Sequence, residues 1–477
     1  MSFISRRLAS TSTFTMKPTP SKAHHHTPLP SSSFPTGFVL GGIHAGVKKK
    51  AGVPDLAVIL STSEKPTSAA ACFTRNAFKA APVLVSNQII AKNGGYARAV
   101  VVNSGCANAV TGKQGMDDAW AMVKATDALL PSKSKKFDNE TLVMSTGVIG
   151  QNLPISKIIT GIESQALEKK DTSVLGSDFK AWESAAKAFM TTDTFPKLRS
   201  RTFTIGDQEY RMAGMDKGAG MIHPDMGPAS TSFSSAPKQL HATLLGCIMT
   251  DAAVSPRSLQ SALTYAVDRS FNSISVDGDM STNDSIYVLA NGAASKDGLV
   301  IDEESNKDAY EVFKKELTDF AADLAKLVVR DGEGATKFVT VTVKNAPSYK
   351  DAHSIASRIS TSALVKTALY GEDANWGRIL AATGSVPLLP SAATGVAPVI
   401  DPAKVNVTFV PSDGTSPLPV LVHGEPEKVD EVRAKEILQL EDFEVLVDMG
   451  MEGEGEAQYW TCDFSYEYVS INGDYRS

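Results

Sequence analysis

The residue of this sequence with the strongest case for a catalytic role is Thr243, which follows Ala242 and precedes an apolar segment over residues 244–249. A threonine hydroxyl is a weak nucleophile unless a base lies beside it. If the chain is cut before Thr243, the freed α-amine supplies that base, because its pKa of about 7.7–8.0 is close to what general base catalysis favours. The small Ala242 leaves the preceding carbonyl open to attack by the same hydroxyl. An Ala-Thr pair alone, however, favours a simpler interpretation, the start of a buried strand or helix.

A glycine-flanked lysine upstream of this pair changes that interpretation. Residues 217–226 read Lys-Gly-Ala-Gly-Met-Ile-His-Pro-Asp-Met, and residues 242–245 read Ala-Thr-Leu-Leu. Together they resemble the ornithine acetyltransferases of arginine biosynthesis, also called bifunctional glutamate N-acetyltransferases. The resemblance implies self-cleavage between Ala242 and Thr243, with Thr243 as nucleophile and substrate ligand. The chain departs from the family pattern by an insert over residues 227–241, whose small, Pro- and Ser-rich composition is typical of a loop.

A second motif, Ser-Thr-Gly-Val-Ile-Gly over residues 145–150, follows a short apolar run that predicts a strand. A strand ending in a tight Thr-Gly turn can direct a hydroxyl and a backbone N–H at one point, which suits an oxyanion hole. Most such turns are only turns. The family has the same motif, and the resemblance therefore assigns the oxyanion hole to Thr146 and Gly147.

Further motifs supply candidate substrate ligands. Residues 190–193 read Met-Thr-Thr-Asp, residues 331–337 read Asp-Gly-Glu-Gly-Ala-Thr-Lys, and the chain ends Asn-Gly-Asp-Tyr-Arg-Ser. Without the resemblance, these are a hydroxyl-rich helix end, a solvated turn and a frayed terminus. With it, Glu333 is predicted to hold the side-chain ammonium of ornithine or to orient the reacting amine. The residues predicted to bind substrate, besides Thr243, are Thr191, Lys217, Glu333, Asn472 and Ser477, of which Lys217, Asn472 and Ser477 are assigned to the α-carboxylate.

Composition excludes several classes of protein. A net charge of −6 argues against nucleic-acid binding, which requires a basic face. No apolar run reaches the ~18 residues of a membrane span. The four cysteines are far apart in sequence, which indicates free buried thiols in a reducing compartment. The three aspartates within residues 277–284 do not have the spacing of an EF-hand, so we predict a turn near the site, no metal and no bound cofactor.

The first residues have the composition of a mitochondrial transit peptide, because arginines are interspersed with serine and threonine and no acidic residue precedes Asp55. A disordered tail is the alternative. We therefore expect residues 1–35, which include a histidine tract at 24–26, to lie outside the fold, and the protein to reside in the mitochondrial matrix. Residues 36–242 and 243–477 would then be the two fragments, α and β.

Predicted strands and helices alternate irregularly along both fragments. Helical spacing of apolar residues is clearest over residues 310–328, and strict alternation over 460–468 predicts a strand. This pattern is consistent with an α/β protein. The resemblance adds a layered sandwich of sheets covered by helices, in which the two fragments form a heterodimer and the heterodimers pair into a heterotetramer.

The implied reaction is ping-pong transfer of an acetyl group from N2-acetylornithine to glutamate through an acetyl-threonine. Members of the family differ in whether acetyl-CoA also donates acetyl groups, and no residue of this chain decides between the two. Two alternatives belong to other classes. An amidase or aminopeptidase with an N-terminal nucleophile would use water as acceptor, whereas a self-processing binding protein would show no turnover.

Overall fold

The computed structural model describes residues 18–131, 136–169, 171–229, 244–296, 299–391 and 394–473. Three of the predicted site residues, Ala242, Thr243 and Ser477, lie outside these ranges, as does most of the 227–241 insert. Within the described ranges, no helix combines the length and apolar character needed to cross a membrane. The four cysteines are buried and free, as predicted.

Strands and helices alternate through the described ranges. The strands are β1 (Phe38–Ile43), β2 (Leu56–Ser61), β3 (Ser68–Thr74), β4 (Ala99–Cys106), β5 (Thr141–Val148), β6 (Lys197–Ile205), β7 (Gln208–Lys217), β8 (Met226–Pro228), β9 (Leu245–Thr250), β10 (Ile274–Ser275), β11 (Ser285–Ala290), β12 (Phe338–Ala346), β13 (Asn406–Pro411), β14 (Leu418–Val422), β15 (Glu425–Pro426), β16 (Asp442–Asp448) and β17 (Gly455–Cys462). The helices are α1 (Ala81–Asn93), α2 (Gly112–Asp127), α3 (Ile155–Glu163), α4 (Phe179–Phe189), α5 (Pro256–Asp268), α6 (Lys307–Arg330), α7 (Tyr349–Ser360), α8 (Ala363–Gly371), α9 (Trp376–Thr383), α10 (Glu431–Gln439) and α11 (Tyr466–Gly473).

The first sheet has the order β1-β2-β4-β5, in which β4 and β5 are parallel. Both strands contain a short apolar run, residues 99–102 in β4 and residues 142–144 in β5, and both are buried over most of their length. Because parallel strands end at the same edge of a sheet, the last residues of β4 and the Ser-Thr-Gly motif of β5 lie side by side. Thr146 and Gly147 therefore stand at one edge of this sheet.

The second sheet has the order β6-β7-β9-β11-β3-β8. Its strand β9 begins two residues after Thr243 and runs between antiparallel β7 and parallel β11. Leu245, the first residue of β9, pairs with Lys217 on one side and with Ser285 on the other. The chain after the predicted cleavage point thus enters the middle of this sheet directly.

Two apolar cores make the fold a layered α/β structure. One core joins the first sheet to one face of the second, where Met215, Cys247 and Tyr287 project. The other core lies between the opposite face of the second sheet and helices α5 and α6. On α6, residues spaced three or four apart, such as Phe313, Leu317 and Phe320, are buried, which confirms the predicted helix. The predicted sandwich of sheets covered by helices is confirmed.

The third sheet, β10-β17-β12-β16-β13-β14-β15, corrects one prediction. Alternation over residues 460–468 predicted a strand, but β17 ends at Cys462 and Tyr466–Gly473 form helix α11. Cys462 pairs with Phe338, the first residue of β12, so no partner strand continues beyond it. The Asp463 carboxylate instead accepts the backbone N–H groups of residues 336 and 337, at 2.8 and 2.9 Å, and the chain turns there.

Residues 18–35 correct a second expectation, because they pack against the folded body instead of lying outside it. The ring of Phe34 is buried and stacks on Trp182, with ring centroids 4.7 Å apart. His26, in the tract expected to be disordered, lies 2.9 Å from the Glu183 carboxylate. Ring stacking at Phe34 and polar contacts such as that of His26 thus attach the segment to the folded body. The transit role of the chain start stays a prediction.

Candidate active site

Lys217, the last residue of β7, brings the second sheet to the edge of the first. Its side chain is fully buried, and its Nζ lies 3.4 Å from the Oγ1 of Thr146, which is also fully buried. Burial lowers the pKa of Lys217, and the nearby carboxylate of Asp193 opposes that effect. The structure therefore places an ammonium group beside the hydroxyl that the sequence assigned to the oxyanion hole.

Gly147 follows Thr146 in a conformation that requires glycine. Its φ is +122°, and a Cβ atom at this position would lie 2.4 Å from the carbonyl carbon of Gly105 on β4. The two parallel strands approach each other closely at this point because both carry glycine there. The Thr-Gly turn is therefore fixed by backbone contact with its neighbour.

Glu333 is held by three segments that are distant in sequence. Its backbone N–H donates to the carbonyl of Ala219 at 2.8 Å, and the Asn472 side-chain amide donates to its Oε2 at 2.7 Å. A Cβ atom on Gly220 would lie 2.2 Å from Oε2, so glycine is needed for the loop to pass the carboxylate. The Lys-Gly-Ala-Gly loop, the Asp-Gly-Glu-Gly turn and helix α11 thus meet at a buried carboxylate.

A buried ion triad joins these segments. Lys197 Nζ lies 2.6 Å from a carboxylate oxygen of Asp193 and 2.6 Å from one of Asp331, and all three side chains are fully buried. Asp193 also accepts the backbone N–H groups of Thr191 and Gly218, both at 2.8 Å. Burial opposes ionisation of Asp193, but the two lysines beside it prevail and hold its pKa below the usual range. The triad connects the Met-Thr-Thr-Asp segment, the lysine loop and the glutamate turn.

Thr191 lies on the wall of a cavity of about 730 Å³. Its Oγ1 is buried and has no hydrogen-bond partner among the described residues. Gly105, which contacts Gly147, lines the same cavity. The cavity therefore begins beside the predicted oxyanion hole. Its rim carries a set of basic side chains, Lys48, Lys49, Lys50 and Lys187.

The polar loop over residues 277–284 binds backbone N–H groups of two neighbouring segments. Asp277 accepts the N–H groups of Met221 and Ile222 in the lysine loop, and Asp284 accepts the N–H of Leu244 at 2.9 Å. Burial raises the pKa of Asp277 to about 6 and that of Asp284 to about 7. No group of three or more His, Cys, Asp or Glu side chains suited to a metal occurs within the described ranges.

The structure brings together Thr146, Lys217, Glu333 and Asn472 and puts Thr191 in the adjoining cavity. It does not describe Ala242, Thr243 or Ser477. Leu244, the residue that follows Thr243 in the chain, is described. It lies close to Gly218, because a Cβ atom placed on that glycine would lie 3.6 Å from a methyl carbon of Leu244. The described start of this segment therefore lies against the lysine loop.

Sequence reasoning missed Asp193, Lys197 and Asp284 as members of the site. Asp193 closes the Met-Thr-Thr-Asp motif and Asp284 the polar loop, so both stood in segments that were already singled out. Their function in the fold depends on burial, which a polar residue in a loop does not reveal. No sequence pattern marked Lys197 as a site residue, because it is the first residue of β6, an ordinary alternating strand.

The layered α/β fold and the buried charged groups beside β9 are those of an α/β enzyme. The sequence model described as the ArgJ family matches residues 39–477. The chain therefore belongs to the ArgJ family.

Relatives support this assignment along the whole chain. The protein named Arginine biosynthesis bifunctional protein ArgJ, mitochondrial, from Coprinopsis cinerea is 81% identical over 475 residues, which cover 100% of this chain and 99% of the relative. The protein of the same name from Cryptococcus neoformans is 54% identical over 484 residues, which cover 98% and 96%. These matches confirm the predicted family, its acyltransferase class, its place in arginine biosynthesis and the mitochondrial location.

Two solved structures are also similar. Arginine biosynthesis bifunctional protein ArgJ from Bacillus halodurans is 34% identical, with a TM-score of 0.41, and the match covers 47% of this chain and 96% of that one. The ornithine acetyltransferase from Mycobacterium tuberculosis, complexed with ornithine, is 33% identical, with a TM-score of 0.34, and the match covers 42% and 96%.

Proposed function

We propose that the chain cuts itself between Ala242 and Thr243 and then transfers the acetyl group of N2-acetylornithine to glutamate through Thr243. The observation that carries this proposal is the position of Leu244. It immediately precedes the central strand β9, whose first residue, Leu245, pairs with Lys217. The ammonium of Lys217 reaches Thr146 at the edge of the neighbouring sheet. A nucleophile attached to Leu244 would stand where two sheets, the lysine loop and the glutamate turn converge.

In the first half-reaction, the Oγ of Thr243 attacks the acetyl carbonyl and its proton passes to the α-amine of the same residue. The oxyanion is stabilised at Thr146 and Gly147, where the loss of one donor typically lowers the rate about 10²–10³-fold. The C–N bond breaks, and ornithine leaves with the proton. In the second half-reaction, the amine of glutamate attacks the acetyl-threonine, the ester C–O bond breaks, and a proton from that amine passes to the Oγ of Thr243.

The charged residues of the site suit a substrate that is an amino acid. The Glu333 side chain accepts a hydrogen bond from the Asn472 amide, so it would receive the side-chain ammonium of ornithine or the reacting amine. Lys217 would hold the α-carboxylate, with Asn472 and Ser477 beside it.

The two fragments would stay together after cleavage. Strands from both sides of the predicted cut share the second sheet, where the pair β9 and β11 lies between β7 and β3. Because the β7–β9 and β11–β3 ladders both cross this boundary, cleavage would leave the sheet continuous. This supports a heterodimer of fragments, which we expect to pair into a heterotetramer.

The lysine-rimmed cavity favours a second donor, acetyl-CoA. Four lysines surround a space of about 730 Å³ that begins near Gly105 and Thr191. Phosphate groups of the carrier would bind the rim while the thioester reaches Thr243. Replacing Lys49 and Lys50 by glutamine should raise the KM for acetyl-CoA and leave the KM for acetylornithine unchanged. An unchanged KM for both donors would contradict this assignment.

The decisive experiment is a denaturing intact-mass spectrum of the purified protein, with and without brief exposure to N2-acetylornithine. We expect two fragments, the second beginning at Thr243 and gaining one acetyl group, and a single unmodified chain from Thr243→Ala. A wild type that stays uncut and unacetylated would overturn the proposal. Release of acetate without glutamate would instead identify an amidase, and intersecting initial-rate lines would exclude the covalent intermediate.

A further inference from the structure

The turn over residues 281–285 holds the first described residue after Thr243. The Oδ1 of Asp284 accepts the Leu244 N–H at 2.9 Å, and the Leu244 carbonyl accepts the N–H of Ser285 at 3.0 Å. The Asp284 side chain is only 1% exposed, and its Oδ2 accepts the N–H of Ser281 at 3.3 Å. Both peptide groups that flank Leu244 are therefore fixed by one turn.

The same turn also holds the strand that carries Thr146. The side-chain amide of Asn283 donates to the carbonyls of Ser145 and Ala107, both at 2.7 Å, and Asn283 is 1% exposed. Ser145 immediately precedes Thr146 on β5. Two adjacent side chains of one turn thus bind the chain next to the predicted nucleophile and the chain next to the predicted oxyanion hole.

We propose that Asp284 is a positioning residue for Thr243 and that it acts through the N–H of Leu244. That N–H belongs to the planar peptide group that also contains the Cα of Thr243. The carbonyl bound by Asn283 belongs to the peptide group that contains the Cα of Thr146. The turn therefore sets the separation of the attacking oxygen and the oxyanion donor. This inference rests on the proposed function.

A carboxylate suits this position because it accepts hydrogen bonds at both oxygens and donates none when ionised. Asp284 faces two N–H donors, those of Leu244 and Ser281. An asparagine could serve one of them but would turn an N–H towards the other. Replacement by asparagine should therefore weaken the hold of residue 284 on the Leu244 and Ser281 N–H groups, and replacement by alanine should remove it.

The chain offers a matched control on the same strand. Asp251 follows the far end of β9 and is fully buried, and its carboxylate accepts the N–H groups of Arg211 at 2.8 Å and Thr36 at 3.1 Å. It lies roughly 23 Å along the strand from Leu244, at about 3.3 Å per residue. Asp251→Ala should disturb the fold to a similar degree without reaching the site.

The test measures the cleaved fraction, the acetylation of Thr243 and the steady-state constants per cleaved chain for the wild type, Asp284→Ala, Asp284→Asn and Asp251→Ala. Since a displacement of about 1 Å in reacting groups can lower rates by about 10²-fold, Asp284→Ala should cut more slowly and lose about 10²-fold in kcat. The KM for acetylornithine should change less than about twofold. The kcat of Asp284→Asn should lie between the values of the wild type and Asp284→Ala, and Asp251→Ala should keep the wild-type kcat.

Equal kcat values for Asp284→Ala and Asp251→Ala, at matched folded fractions in a thermal melt, would overturn the inference. So would a raised KM at unchanged kcat. If Asp284→Ala does not fold, Asp284→Asn decides in the same way, because its shape is nearly that of aspartate. A wild type that is neither cut nor acetylated refutes the proposed function itself, whereas an active wild type with silent Asp284 variants refutes only the positioning.

Discussion

Two glycines of the site stand where a side chain would collide with a neighbour. At Gly147, the backbone of β4 occupies the space of a Cβ atom, and at Gly220 the Glu333 carboxylate does so. Both lie in motifs that the sequence singled out, but the reason for each glycine became visible only with its neighbour in place. The packing constraint at a residue is set by contacts across the fold, which a single motif does not contain.

The Ser-Thr-Gly-Val-Ile-Gly motif provides a prediction with its own control. Gly147→Ala should destabilise the protein strongly, because its φ of +122° disfavours other residues and its Cβ would meet backbone. Gly150→Ala has a φ of +76° but nothing within 4 Å, so it should cost only about 1–2 kcal/mol. Urea unfolding of both variants measures the difference. Equal losses would show that the contact with Gly105 is unimportant.

At the scale of elements, the prediction of a strand succeeded where an apolar run is short and bounded, as in the run before the Ser-Thr-Gly motif, which forms β5. It failed where alternation continued past Cys462, because a strand needs a partner and β12 begins at Phe338. The periodicity of apolar residues can be read from a short segment of sequence. Whether a partner strand is present to pair with that segment depends on distant parts of the chain.

The triad of Asp193, Lys197 and Asp331 ties the segment after α4 to the end of α6. Lys197→Met would leave two buried carboxylates without their common cation, so we expect a loss of about 3–5 kcal/mol in the free energy of unfolding. Lys315→Met, which removes a solvent-exposed partner of Asp319 on α6, should leave the urea midpoint unchanged. A small effect of Lys197→Met would mean that the carboxylates become protonated at little expense.

At the scale of the whole molecule, burial of polar loops makes stability depend on pH. Burial raises the pKa of Asp277 to about 6. The folded state therefore keeps a proton there that the unfolded chain releases near pH 4. The stability from this group is full below about pH 4 and is lost as the pH rises to about 6, with a slope of at most about 1.4 kcal/mol per pH unit.

Comparison of the wild type with Asp277→Asn isolates this effect. Urea unfolding between pH 4 and pH 7 should show a smaller decline with pH in the variant. The comparison is necessary because burial lowers the pKa values of His223 and His353, and these groups change stability in the opposite direction. Parallel pH profiles for the two proteins would contradict the raised pKa of Asp277.

The second sheet, which contains strands from both sides of the predicted cut, has a consequence for how the protein can refold. Before the proposed cleavage, β7 and β9 belong to one chain, so their pairing is intramolecular. After it, the same sheet could be rebuilt from unfolded chains only by the encounter of two polypeptides, at a rate that depends on their concentration. A cleaved molecule would thus keep a sheet that formed while β7 and β9 still belonged to one polypeptide.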